Sequence, residues 1–176
     1  MRLPFIKLTT ALCCFALFAQ AQSEDSLFMQ AAVAKLRDSK TYTLQVAAAM
    51  PAERYVFKPT PAEMSFGEQA LHLAQNTGWL CSSYLLAGKN PVTDQDGLHT
   101  DKAAILNLLT KTYDYAIQVL QSFDPKGLKD TVSFFAGTKN KLQIINLMND
   151  HQTHHRAQMI VYLRLNAIKP PDYVGW

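Results

Sequence analysis

Cysteine is scarce in this chain: three in 176 residues, two of them, Cys13 and Cys14, adjacent near the start. Once the leader described below is removed, Cys81 stands alone, so no intramolecular disulfide framework is available. A strong excess of charge is lacking too. Seventeen Lys and Arg against fourteen Asp and Glu leave +3. There is no basic run and no interleaving of basic with aromatic residues, which removes nucleic acid from the expected partners. The one long apolar run, Leu8 to Phe18, falls short of the ~20 residues that span a bilayer. Alternation of the β type is absent over any useful length, although Thr131–Phe135 reads as a short extended piece. Repeats and low-complexity tracts are missing as well.

What is present begins with a secretory leader pattern. Arg2 and Lys7 supply a positive start, Leu8–Phe18 the apolar run, and Ala19-Gln20-Ala21 a small-residue cleavage signal. This predicts a leader over residues 1–21 and a mature, secreted or periplasmic chain from Gln22, with no stable membrane span after cleavage. A retained short anchor is the alternative. A lipoprotein is disfavoured because Leu12, not a small residue, precedes Cys13. The mature chain keeps about 155 residues and a charge of +1, enough for one domain (22–176) with its own core.

Four amphipathic segments follow. The first spans about Ser26 to Ala49, with Lys40 breaking its stripe and a bend allowed near Asp38–Thr41. The second spans about Ser65 to Leu86, opened by a Ser65/Glu68 capping-box pattern. The third spans about Asp101 to Phe123 and stops before Pro125. The fourth spans about Lys141 to Ala167 and stops at Pro170-Pro171. Four helices of ~20 residues predict an all-α four-helix bundle. The long connectors before the second and fourth helices leave strict up-down alternation open. Cys81, on the apolar side of its helix, reads as a buried, inert thiol.

The last segment carries His151-Gln152-Thr153-His154-His155-Arg156-Ala157-Gln158. At 100° per residue, His151 and His155 fall in the sector of Ile144, Met148, Met159 and Tyr162, so both face the core. His154 falls on the flank with Leu147, Val161 and Leu165. Buried imidazoles need partners for both nitrogens. An i, i+4 pair meets that need either by gripping one metal ion or by hydrogen bonding within the core, and the pair alone leaves both open. A third ligand is not evident from spacing. His99 sits in a turn-like loop, Asp96-Gly97-Leu98-His99. His72 lies about 110° from the centre of its helix's apolar stripe, which describes an exposed flank residue sharing a face with Gln69, Asn76 and Trp79.

His72 shortly after Ser65-Phe66-Gly67-Glu68, the H-x-x-x-H-R-x-Q block at 151–158, and the closing Leu163-Arg164 and Lys169-Pro170-Pro171 together resemble the DinB family of metalloenzymes. The resemblance covers nearly the whole mature chain. It implies a four-helix bundle in up-down-down-up order, often dimeric, with one metal-ligating histidine on the second helix and two on the fourth. Those positions are His72, His151 and His155 here. Where relatives often carry Gly after the Arg, this chain has Ala157, which suits a helix. The resemblance implies a divalent cofactor, zinc or nickel first, since three imidazoles also accept copper or iron. It further implies thiol-dependent transfer chemistry, which export disfavours because those thiols are mainly cytosolic. The resulting expectation is a metal-dependent hydrolase or transferase of unknown small-molecule substrate, or else a non-catalytic metal- or small-ligand-binding protein. No acid or base is assigned. Glu68 and Gln69 are candidates to orient His72 or a water. Arg156 and Gln158 are candidates to support the ligands or simply to pack. Tyr162 lines the pocket or fills the core.

Overall fold

A computed structural model describes residues 24–86, 88–93 and 101–174. The leader, Cys13, Cys14 and His99 lie outside the described residues. Helix α1 (Glu24–Ala49) starts with Glu24 and Asp25, whose charge complements the positive end of the helix. Lys40 does not interrupt it. The helix runs through that position, and the ammonium reaches Asp114 at 2.5 Å. A long side chain resolves the conflict by leaving the stripe for solvent and an ion pair.

Helix α2 (Phe66–Leu80) opens on the expected capping box: Glu68 N–H donates to Ser65 Oγ at 3.2 Å, and Ser65 N–H to Glu68 Oε2 at 2.6 Å. It closes through a π-helical turn, Cys81–Leu85. Asp101 caps α3 (Lys102–Ser122), accepting from Ala104 N–H at 3.0 Å. Asn140 and Gln143 form a second capping box at the start of α4 (Lys141–Leu165). The extended piece before α4 is shorter than predicted. Strand β1 (Thr131–Val132) pairs antiparallel with β2 (Lys139–Asn140), Thr131 opposite Asn140. Beyond Val132 the chain turns so that Phe134 is buried while Phe135 stands exposed.

Cross-helix bonds give the direction of each helix. Lys40 meets Asp114 and Lys102 meets the carbonyls of Ala48 and Met50, so α1 and α3 are antiparallel. Gln69 meets Tyr162, Thr77 meets Gln152 and Cys81 meets Met148, so α2 and α4 are antiparallel. Thr43 meets Arg156 and Arg54 meets Asn166, which sets α1 and α4 in the same direction. The order is therefore up-down-down-up. Helix α1 packs on α3, α2 on both α3 and α4, and α4 on α1. Leu36, Val46, Leu73, Ile105, Leu109, Ile144 and Met148 are fully buried at the centre. Among the described residues no helix is long and apolar enough to cross a membrane.

Candidate metal centre

The antiparallel seam between α2 and α4 brings His72 opposite His151 and His155. His151 Nε2 lies 3.2 Å from His72 Nε2 and 3.2 Å from His155 Nε2. The rings of His72 and His155 meet edge to face at 4.6 Å. His155 is buried, while His72 and His151 are half-buried. The wheel placed His151 and His155 inward, and both are there. It placed His72 on an exposed flank, and that is corrected. Helix α2 packs on two neighbours at once, so its buried arc is wider than its apolar stripe, and the polar flank turns toward α4.

The chemistry of this donor set fits a cation. Burial holds all three imidazoles neutral, with the neighbouring rings adding to the effect. His155 is pushed down to about 3, His151 to about 4, and His72 also lies below its ordinary value. Their lone pairs are thus free near neutrality, with no proton to displace. One ring nitrogen carries either a hydrogen or a lone pair, so His151 Nε2 makes at most one well-formed hydrogen bond. Its two contacts at 3.2 Å are not both satisfied by hydrogen bonding among neutral rings. Two nitrogens bound to one tetrahedral zinc at 2.0–2.1 Å would stand roughly 3.3 Å apart. The potential ligand atoms of the three residues all fall within 4.8 Å of one another, so the trio could hold a metal ion.

His154 is exposed and outside the trio, as its flank position predicted. Its Nε2 accepts from Gln158 Nε2 at 2.7 Å. Cys81 is buried, its thiol pushed up to about 12 by burial, which makes it inert. Glu68 does not orient His72. Its carboxylate caps α2 and pairs with Lys58 at 3.0 Å, and these contacts hold it below its ordinary value. Arg156 is buried but packs toward α1. Its Nη1 donates to Thr43 Oγ1 at 3.2 Å, and the guanidinium covers the Tyr42 ring. It is a packing residue of the α1–α4 seam.

The residue underestimated from sequence is Gln69, almost wholly buried. Its Oε1 accepts from His155 Nδ1 at 2.5 Å. Its Nε2 donates to Gln158 Oε1 and, at 3.3 Å, to the Tyr162 hydroxyl, which donates to Met64 O at 3.0 Å. Gln69 thus serves His155, not its helix neighbour His72. A signal existed: Gln69 lies three residues before His72 and Gln158 three after His155, so an antiparallel seam levels the two amides.

A four-helix bundle with three converging imidazoles on one seam is the class that fold and site define. Residues 35–159 match the DinB superfamily, and the chain belongs to it. Two solved structures share the fold. A DinB-like protein from Bacillus cereus is 19% identical with a TM-score of 0.72, over 87% of this chain and 99% of that one. A DinB-like protein from Bacillus subtilis is 15% identical with a TM-score of 0.64, over 81% and 95%. No curated protein matches the sequence.

Proposed function

We propose that this chain binds one divalent ion, zinc or nickel foremost, through His72, His151 and His155, and uses it in hydrolysis or group transfer on a small molecule. The convergence of three neutral Nε2 atoms carries this reading. Bound there, such an ion supplies Lewis acidity, polarising a carbonyl or acidifying a water or thiol. Three neutral imidazoles leave its charge intact, and three ligands leave a position for a fourth partner. His72 also forms part of the wall of a surface cavity of about 360 Å³, with Lys58, Glu63, Met64, Leu71 and Gln75 around it. A small molecule reaches His72 from that side.

A second reading is binding without turnover. One observation favours it: among the described residues no carboxylate hydrogen-bonds to the three rings. Protein purified without a His-tag, analysed for metal and then assayed on ester, amide and thiol-transfer substrates, separates the two readings. Turnover that disappears in His155→Ala supports catalysis; full metal occupancy with no turnover on any substrate supports binding alone.

From the leader pattern we also propose that the mature chain works outside the cytoplasm, which weighs toward hydrolysis over transfer to a cytosolic thiol. N-terminal sequencing of the exported protein should begin near Gln22. The family resemblance further supports a homodimer, testable by light scattering.

A further inference from the structure

We propose that Gln69 is the positioning residue of the candidate metal centre: it selects which nitrogen of His155 faces the other two histidines, and Gln158 and Tyr162 in turn select the orientation of Gln69. The inference rests on the proposed metal reading for its affinity consequences and on hydrogen-bond geometry alone for its structural part.

An amide offers one accepting oxygen and a donating NH2 group. The Tyr162 hydroxyl spends its hydrogen on Met64 O, so toward Gln69 it only accepts. Gln158 spends its NH2 group on His154 Nε2, leaving its oxygen to face Gln69. Two acceptors therefore surround one end of the Gln69 amide, and that end must be the NH2 group. The other end, Oε1, lies 2.5 Å from His155 Nδ1. It accepts only if Nδ1 carries the hydrogen. On a neutral ring a hydrogen on Nδ1 leaves a lone pair on Nε2. That lone pair points at His151 Nε2 and into the trio.

The chain Met64 O–Tyr162–Gln69–His155, with Gln158 as a second brace, thus sets the tautomer of His155. His151 has no such support: its Nδ1 is buried with no hydrogen-bond partner among the described residues. His155 is consequently the fixed ligand of the trio. The outer end of the Gln158 branch, His154, stands in the wall of a separate surface groove of about 510 Å³, with Pro59, Thr60 and Val161. It braces Gln158 from the solvent side, where its loss is easily replaced by water.

Two measurements test this. Nitrogen-15 NMR of the histidine rings in metal-free protein should show His155 protonated on Nδ1 in the parent chain and in Gln69→Glu, and a mixture of tautomers in Gln69→Leu. Zinc competition against a chromophoric chelator should show Gln69→Leu weakened about 10–100-fold, the range for lost support of a metal-bound histidine. Gln69→Glu keeps an acceptor for His155 Nδ1 but sets its other oxygen against Gln158 Oε1 and the Tyr162 hydroxyl, so it should bind between the parent and Gln69→Leu, which separates positioning from simple packing. Gln158→Leu should lose less than Gln69→Leu, and His154→Ala should match the parent. A His155 ring protonated on Nε2 overturns the proposal, as does a Gln69→Leu variant that keeps full zinc affinity, or a Gln69→Glu variant as weak as Gln69→Leu. A parent chain that binds no zinc overturns the proposed function instead, and the NMR result then decides the positioning role by itself.

Discussion

The seam between α1 and α3 and the seam between α2 and α4 belong to one bundle and are built for different ends. Along α1 and α3 the buried set is mostly apolar, with Leu36, Val46, Ile105, Leu109 and Ala116 among it, and its buried side-chain bond runs between Thr43 and the Tyr113 hydroxyl at 2.9 Å. Along α2 and α4 the buried or half-buried set includes Gln69, His72, Thr77, His151, Gln152 and His155. Burying so many polar groups is costly unless each is paired, and the first seam carries less of that cost because it buries fewer of them: Ser39, Thr43 and Thr112, with the Tyr113 hydroxyl. The second accepts it where three imidazoles converge. Stability should accordingly reside in the first seam and ligand binding in the second.

The largest expected effect breaks the second seam. His155→Ala should abolish metal binding, read by metal analysis, while circular dichroism keeps the helical signal. Next, Leu109→Ala in the first seam should cost about 2–5 kcal/mol of unfolding free energy, read by urea titration. Once folded, it should bind metal like the parent. If the two variants exchange phenotypes, the division of labour between the seams is wrong.

Acid should act on the second seam. Unfolded, His151 and His155 titrate near 6.5; folded, at about 4 and about 3. Between those values the unfolded chain holds more protons, so metal-free stability is full above pH 6.5 and falls as pH drops toward 3. Carboxylates also titrate in the lower part of that window. The informative quantity is therefore the difference from His151→Ala/His155→Ala, whose stability should fall less steeply between pH 6.5 and 4.

Smaller still, Thr43→Val removes the hydroxyl that joins Tyr113 and Arg156 and should cost about 1–3 kcal/mol, the range for leaving buried polar partners unmade. Smallest is His154→Ala, expected to leave metal binding and stability near the parent values. A loss of metal equal to that of His155→Ala would place His154 among the ligands.

Legibility in the sequence followed the same division. Apolar periodicity, the Ser65/Glu68 capping box, Pro125 and Pro170-Pro171 mark the four helices, because helix ends and stripes are local properties. His151 and His155 were readable for the same reason: their spacing closes within one helix. His72 was not readable from its own helix, since its burial comes from a second neighbour packing against the polar flank. It entered through family resemblance. Gln69 was missed as a partner of His155 because a bond between residues 86 positions apart leaves no local pattern. Arg156, adjacent to His155, takes the packing role of the two the sequence allows: its guanidinium goes to Thr43 and Tyr42. Thr131–Phe135 was read as one extended piece, but only Thr131 and Val132 have a partner strand.

The most direct test is metal stoichiometry of the untagged parent chain and its His72→Ala variant, with zinc or nickel supplied. One ion per parent chain and none retained by the variant is the expected result of a three-histidine site. A parent chain that takes up no divalent ion, or a His72→Ala variant that holds its ion as tightly as the parent, would contradict it.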